Sequence, residues 1–163
     1  MPKMLYLLAP GLILSTAGIG AAAAQEAAAG AAARLDHVAI WAADQQKSVD
    51  FYKALFGLQE IPAPFAAGGP RWFLFSNGVE LHIQPGRNEI FALPKRVHMA
   101  IAVASLDPVI AYLDARKMPW GDIDGSVRTI SRGRKDGVLQ IFFQDPDGYW
   151  IELNNALKPR ATN

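Results

Sequence analysis

Residues 37–40 read His-Val-Ala-Ile and residues 98–101 read His-Met-Ala-Ile, and this recurrence decides how the chain is organised. The two stretches lie 61 residues apart (98 − 37). Phe51-Tyr52 and Tyr112-Leu113 are separated by the same interval. A fixed interval between similar segments indicates a supersecondary unit that occurs twice in the chain.

The ends of the two halves are also similar. Gly78-Val79-Glu80-Leu81 echoes Trp150-Ile151-Glu152-Leu153, so each half carries one His on its first strand and one Glu on its last. The His-to-Glu interval is 43 residues in the first half (80 − 37) and 54 in the second (152 − 98). We therefore expect a longer loop in the second half.

The first half is expected to form a strand, a helix and a hairpin, at residues 35–42, 44–56, and 71–76 with 79–84. Apolar and polar side chains alternate in the strand, as they do when one face of a sheet is covered. Asp44 is a typical N-cap residue, and Gly57 is a typical residue after a helix. Asn77-Gly78 is a strong signal for a two-residue hairpin turn.

The second half repeats this order, with a strand, a helix, a further strand and a hairpin at residues 97–103, 106–117, 127–131, and 138–144 with 149–154. Pro108 suits the first turn of the helix. Asp145-Pro146-Asp147-Gly148 consists of residue types that favour a tight turn.

The composition excludes several classes of function. The 163-residue chain is long enough for one domain with a sizeable core. Lys and Arg number 16 against 15 Asp and Glu, so neither nucleic acid nor an anionic membrane surface is an expected partner. The chain has no Cys, which excludes disulfides, thiolate metal ligands and a cysteine nucleophile.

The first 24 residues have the composition of a secretory signal peptide. Lys3 precedes an apolar segment, and four Ala at positions 21–24 offer the small residues that a signal peptidase needs. Cleavage there would leave an exported, periplasmic protein with no membrane span, since the apolar segment is short for one. An Ala-rich linker at 25–33, a folded domain at 34–156 and a C-terminal tail at 157–163 are expected to follow.

Strand parity places ionisable side chains on one face of the expected sheet. If apolar residues such as Val38 and Leu81 lie against the helices, the other face carries His37, Glu80, His82, Gln84 and Glu152. Imidazole and carboxylate side chains together suit one divalent ion of the Zn, Ni, Co, Fe or Mn type. Buried carboxylates would be costly without such an ion. Open positions on the ion would bind oxygens of a small substrate, on which it would act as a Lewis acid.

These segments resemble the glyoxalase/bleomycin-resistance domain of the vicinal oxygen chelate superfamily. The opening is His37-Val-Ala-Ile-Trp-Ala-Ala-Asp followed by Ser48-Val-Asp-Phe-Tyr-Lys-Ala-Leu-Phe-Gly57, and the ending is Asp145-Pro-Asp-Gly-Tyr-Trp-Ile-Glu-Leu153. The resemblance covers about residues 34–155. It implies an α+β fold in which two βαβββ modules form a curved mixed sheet around a central cavity for metal and substrate.

The resemblance also implies a set of site residues. His37, Glu80, His98 and Glu152 would hold one divalent metal, as the corresponding residues do in glyoxalase I, and Glu152 or Glu80 would move a proton. The implied activity is a glyoxalase-I-like isomerisation, or a related lyase reaction, on a small molecule that chelates the metal through vicinal oxygens. A homodimer is expected, because many relatives pair their modules across two chains.

The fourth metal ligand stays open at this level. His82 lies two residues after Glu80 and faces the same way, so either side chain is able to complete the metal shell. If Glu80 is the ligand, His82 would contact the substrate. Other expected substrate contacts are the aromatic residues Trp41, Trp72 and Phe142, and Arg132 from a local cationic segment that would bind an anionic group.

Two other functions are compatible with the same fold. One is a metal-free protein that sequesters a drug or metabolite without changing it. The other is a fosfomycin-type thiol transferase. Members of that group usually carry a polar or thiol residue two positions after the first His, where this chain has Ala39, and a His-containing segment after the last Glu, where this chain has Leu153-Asn154-Asn155. Both differences count against that reaction.

Overall fold

The computed structural model describes residues 33–89 and 92–157, and the described residues from Asp36 onward form one compact unit. The predicted signal peptide, nearly all of the predicted linker and the tail beyond residue 157 lie outside the described residues. Within the described residues, no helix has the length and apolar character needed to cross a membrane.

Each half of the unit contains four strands and one helix. The first half comprises β1 (His37–Trp41), α1 (Gln45–Phe56), β2 (Gln59–Ile61), β3 (Arg71–Leu74) and β4 (Glu80–Gln84). The second half comprises β5 (His98–Ala102), α2 (Asp107–Ala115), β6 (Trp120–Gly121), β7 (Gln140–Gln144) and β8 (Trp150–Asn154).

The strands form two mixed sheets, one for each half. Their strand orders are β1-β4-β3-β2 and β5-β8-β7-β6. The pairs β1–β4 and β5–β8 are parallel, and the remaining neighbours are antiparallel. The two expected βαβββ modules are therefore confirmed, and each module forms a sheet of its own.

The first helix begins and ends where its sequence predicts. The Asp44 side chain accepts a hydrogen bond from the Lys47 amide, which satisfies one of the free donors at the helix N-terminus. Gly57 adopts a left-handed conformation (φ 62°), and its amide donates to the Lys53 carbonyl. A side chain with a Cβ would be strained at this position.

Two local predictions require correction. The hairpin turn at Asn77-Gly78 is not a two-residue turn: the Phe75 amide bonds to the Val79 carbonyl, so three residues lie between the paired positions. Gly78, with φ 84°, takes the left-handed place that such a loop requires. Residues 127–131 form only isolated bridges rather than a strand, because β6 ends at Gly121 and leaves them without a continuous partner.

One apolar core lies behind both sheets. It is built from the backs of the two sheets, the buried sides of both helices and the segments that follow them. Phe51 of α1, for example, contacts Phe143 of β7 edge to face, with ring centroids 6.5 Å apart. Since successive strand residues alternate between faces, the opposite face of each sheet is directed away from this shared core. The ionisable side chains lie on that outer face.

Candidate metal centre and its two halves

The outer face of the first sheet brings together His37, Glu80 and His82. The register of the parallel pair places His37 beside Glu80, and the ring of His82 stacks on the ring of His37 with centroids 4.2 Å apart. His82 Nε2 lies 2.8 Å from Glu80 Oε2, and His37 Nδ1 lies 3.0 Å from Asp36 Oδ2. The His82 side chain is 9 % exposed, whereas the His37 side chain is 44 % exposed.

Trp72 covers the other side of His82. The two residues are cross-strand neighbours on β3 and β4, and their rings are almost parallel, with centroids 4.1 Å apart. His82 is therefore held between two rings, those of Trp72 and His37. Phe65 packs edge to face on Trp72 and is itself exposed, so the first half-site has an aromatic wall open to solvent.

The outer face of the second sheet brings together His98 and Glu152. His98 Nε2 lies 3.2 Å from Glu152 Oε2, and His98 Nδ1 donates a hydrogen bond of 2.9 Å to the Lys95 carbonyl. Glu152 is buried (7 % exposed), and its other oxygen accepts a hydrogen bond from Asn154. Phe142, the cross-strand neighbour of Glu152, packs edge to face on the His98 ring at 5.3 Å.

The contact between His98 and Glu152 needs a proton or a metal ion between its two atoms. A carbonyl oxygen only accepts, so the Lys95 carbonyl fixes the proton of a neutral His98 on Nδ1 and leaves a lone pair on Nε2. That lone pair then faces a carboxylate oxygen in a buried setting, which is unfavourable unless a proton or a metal ion lies between them. Two ligands with bonds of about 2.1 Å to one ion lie about 3.0 Å apart when the bonds are perpendicular. The observed separation therefore fits a metal ion.

The two half-sites do not meet within the described residues of one chain. No group of three or more His, Asp or Glu in residues 33–89 and 92–157 is arranged to hold a metal ion. The outer face of each sheet lies opposite the side that the shared core covers, so the two half-sites lie on separate sheet faces. The stacked rings of His37 and His82 also direct their in-plane lone pairs along parallel planes rather than toward one point.

The strand register corrects the internal alignment of the repeat. His37 pairs with Glu80, but His98 pairs with Trp150, so Glu80 corresponds to Trp150. His82, which pairs with Ala39, then corresponds to Glu152, which pairs with Ala100. Aligning the two Glu-Leu dipeptides was therefore wrong by two residues. The glycines of the two turns would have indicated the correct alignment. Gly78 and Gly148 occupy equivalent turns, with φ of 84° and 88°.

Trp41 and Arg132 are the two remaining predicted substrate contacts. Trp41 lies on the same strand face as His37, is 36 % exposed, and donates from Nε1 to the Pro85 carbonyl. Arg132 is exposed, and no ion pair joins it to another described residue. Its neighbours Arg128 and Arg134 form ion pairs with Asp114 and Asp136, and the charge of Glu152 in the second half-site also acts on Arg134.

A cavity of about 160 Å³ adjoins the second half-site. Its wall includes the aromatic residues Phe142, Trp120 and Trp150, and the loop from Gly121 to Val127 borders it. Lys95 Nζ lies 4.9 Å from the Trp150 ring centroid and donates to the Asp122 carbonyl. Lys95 therefore orients His98 through its carbonyl while its ammonium group faces this cavity, a combination that the sequence alone did not indicate.

The turn between β7 and β8 joins the two modules. Asp147 accepts hydrogen bonds from the Ala43 amide (2.8 Å), the Ser48 hydroxyl (2.5 Å) and Arg87 (2.6 Å). Burial favours a higher pKa for Asp147, but these donors together hold the pKa below its usual value. The predicted turn is confirmed, and its two Asp side chains also fix the position of the first module's helix.

The pKa of Asp145 in the same turn is shifted in the opposite direction. Its carboxylate accepts hydrogen bonds from the Tyr52 hydroxyl and from the amides of Asp147 and Tyr149. Burial outweighs these donors and raises the pKa of Asp145 to about 6. Burial and the neighbouring carboxylate of Asp145 also raise the pKa of Tyr52.

Comparison with known proteins gives a consistent result. The chain is 29% identical over 127 residues to the uncharacterized protein YwbC of Bacillus subtilis (strain 168), covering 75% of this chain and 97% of that protein. Its fold is similar to that of the oxidase ChaP-H2 (TM-score 0.62, 22% identity, 80% of this chain and 97% of that chain).

A second similar structure contains a metal. It is a mutant form of the fosfomycin resistance protein FosX of Listeria monocytogenes, in complex with Mn(II) and 1S,2S-dihydroxypropylphosphonic acid (TM-score 0.61, 19% identity, 77% of this chain and 93% of that chain). The sequence profile of the Glyoxalase/Bleomycin resistance protein/Dioxygenase superfamily matches residues 34–153. Because the match spans both modules and both half-sites, the chain belongs to this superfamily.

Proposed function

We propose that this protein is a metal-dependent enzyme of the glyoxalase I type, an isomerase or lyase whose small substrate presents two neighbouring oxygens. The observation that carries the proposal is the contact between His98 Nε2 and Glu152 Oε2, 3.2 Å apart in a buried setting. Two acceptor atoms at this distance need a proton or a metal ion between them, and the mixed imidazole and carboxylate ligands suit a divalent ion of the Zn, Ni, Co, Fe or Mn type.

The chain supplies suitable ligands for such an ion. His37, His98 and Glu152 would hold it, with either Glu80 or His82 in the fourth place. When bound, the ion would supply Lewis-acid stabilisation of negative charge on the substrate oxygens. The FosX complex supports this, since a ligand with neighbouring hydroxyl groups is bound there together with Mn(II).

The remaining groups would position the substrate and move a proton. Glu80 is a partly exposed carboxylate on the open side of the first half-site, where it is able to take a proton from a substrate carbon. Glu152 is the second candidate, although its burial and its bond to Asn154 restrain it more strongly. The aromatic cavity beside His98 would take an apolar part of the substrate, with Lys95 near its polar end.

We further propose that two copies of the chain complete each site. The half-sites lie on separate sheet faces, each opposite the shared core, and the described residues of one chain hold no complete metal group. In a twofold-symmetric dimer, the first sheet of one protomer is able to face the second sheet of its partner, which forms two equivalent sites. The export predicted from residues 1–24 would place this dimer in the periplasm.

A non-catalytic binding protein is the second candidate function. The specific observation in its favour is the aromatic wall of the first half-site, in which Trp72 stacks on His82 and an exposed Phe65 packs against Trp72. A planar drug or metabolite would find stacking partners there without any metal.

The first experiment is elemental analysis of the purified protein, produced without a polyhistidine tag, beside its His98→Ala variant. We expect about one divalent ion per chain in the wild type and its loss in the variant, whose folding is checked by circular dichroism. Turnover of hemithioacetals and related substrates would then be screened with the identified metal. A wild type that takes up none of Zn, Ni, Co, Mn and Fe(II) would leave the binding protein as the better proposal.

A further inference from the structure

We infer that His82, rather than Glu80, supplies the fourth ligand of the metal site, and that Glu80 is the carboxylate that orients the His82 ring. This inference rests on the proposed function and deepens it. It gives the site three imidazoles and one carboxylate, where the sequence resemblance implies two of each.

The first argument is the position of each residue in its sheet. In the first module His82 lies between Ala39 and Trp72 on the neighbouring strands. In the second module Glu152 lies between Ala100 and Phe142 in the same manner. Each of the two positions therefore has an alanine on one neighbouring strand and an aromatic residue on the other. Glu80 has Trp150 as its counterpart, and an indole is no metal ligand.

The second argument is that the equivalence extends along the strands. The Ala42 amide bonds to the Gln84 carbonyl at 2.8 Å, and the Val103 amide bonds to the Asn154 carbonyl at 2.8 Å. On the other side, the Phe75 amide bonds to the Val79 carbonyl, and the Asp145 amide bonds to the Tyr149 carbonyl. The last strand of each module therefore pairs with its neighbours in the same register from the turn to its end. His82 and Glu152 occupy the same position in that strand.

The third argument is the contact that each first-strand histidine makes. In the second module His98 meets Glu152, the residue diagonal to it, rather than its direct neighbour Trp150. In the first module His37 likewise meets the diagonal residue His82, by ring stacking. The side chains of the diagonal residues are equally buried, at 9 % exposed each, whereas the Glu80 side chain is 28 % exposed.

The fourth argument is the hydrogen bonding of the histidines. Each of the three has one ring nitrogen beside an oxygen: His37 beside Asp36, His82 beside Glu80, and His98 beside the Lys95 carbonyl. Metal-ligating histidines usually donate their second N–H to a carboxylate or carbonyl, which fixes the tautomer and the ring orientation. Glu80 therefore orients the His82 ring, as the Lys95 carbonyl orients the His98 ring.

Metal binding then requires one ring of the stack to turn. A ligating imidazole holds the ion near its own plane, and the nearly parallel planes of His37 and His82 do not share such a point. His82 is fixed by Trp72 and Glu80, whereas His37 is half-exposed and stacks on His82. His37 is therefore the ring that rotates. With one ligating carboxylate instead of two, the site keeps more positive charge, and Glu80 stays free of the metal as a base.

The test counts imidazole ligands by X-ray absorption spectroscopy of the Ni- or Zn-loaded protein. We expect three imidazoles in the wild type, two in His82→Gln, and three in Glu80→Gln. Glu80→Gln should still bind one ion, with an affinity about 10-fold to 100-fold lower, because an orienting group has been changed. A matched control, Gln84→Glu, changes a polar residue on the same strand face and should leave the count at three.

The outcomes are distinguishable. Two imidazoles in the metal-loaded wild type, or loss of the metal from Glu80→Gln at saturating concentration, would overturn the assignment of His82 and leave the metalloenzyme intact. Both measurements hold even if His82→Gln fails to fold. A wild type that binds no metal would overturn this inference together with the proposed function.

Discussion

The hydroxyl of Tyr52 in α1 donates a hydrogen bond of 2.8 Å to Asp145 in the turn between β7 and β8, and both groups are buried. This contact joins the helix of the first module to the last hairpin of the second. The adjacent Asp147 adds bonds from Ala43, Ser48 and Arg87. The two modules are therefore joined by polar contacts as well as by the shared apolar core.

The pH dependence of the free energy of unfolding should show the raised pKa of Asp145. Its pKa is raised from 3.8 to about 6 in the folded protein, so its contribution to stability is full below about pH 4 and is lost as the pH rises to about 6. The loss is on the order of 3 kcal/mol at 1.36 kcal/mol per unit. Asp145→Asn should remove this loss, so the free energy of unfolding of the variant relative to wild type should rise between pH 4 and 6.5 in urea titrations. A constant difference would contradict the assignment.

The ion pair between Arg87 and Asp147 should be important for folding. Both side chains are nearly inaccessible, at 8% and 3% exposed. Arg87→Met would leave the Asp147 carboxylate buried without its cation, so we expect a loss of about 3 kcal/mol in the free energy of unfolding at pH 7. Arg134→Met is the matched control, since its partner Asp136 lies at the surface, and it should leave the unfolding midpoint almost unchanged. Equal effects of the two substitutions would refute this role.

The loop beside the second half-site depends on Gly121. A Cβ at this position would lie 2.2 Å from the Ser126 carbonyl oxygen, which belongs to the backbone and has little room to move. Gly121→Ala should therefore destabilise the protein by about 1–3 kcal/mol, as overpacking does. Gly133→Ala, where a Cβ meets nothing within 4 Å, should be close to neutral. Denaturant titration of both variants checks the difference.

Mixing two inactive variants tests whether two chains complete each site. His37→Ala damages the first half-site and His98→Ala the second. If each site uses one half from each protomer, random reassembly of equal amounts should restore about a quarter of the intact sites, because half of the dimers then contain one intact site of two. Metal content and turnover measure the recovery. If each chain forms its own site, mixing restores nothing.

Much of the fold was predictable because its signals are local. Asp44 and Gly57 delimit α1 through hydrogen bonds and backbone conformation within one turn of the chain. The turn glycines and the alternation of strand residues set the two modules. The errors also have physical reasons: residues 127–131 lacked a strand partner, and the two shortest strands, β2 and β6, carry too few residues for a periodic pattern.

The sequence by itself determined which residues are the candidates for the site. All three histidines lie on strands at positions whose parity puts them on the outer faces. Strand periodicity is a property of the backbone, so these positions are readable without knowing which strands are neighbours.

Only the tertiary structure decided how those residues are matched. Whether Glu80 or His82 corresponds to Glu152 depends on the register between strands that are distant in sequence, and a shift of two residues keeps every side chain on the same face. The alternation of side chains along a strand therefore does not reveal such a shift. The separation of the two half-sites likewise depends on the packing of both sheets against one core, which no local pattern encodes.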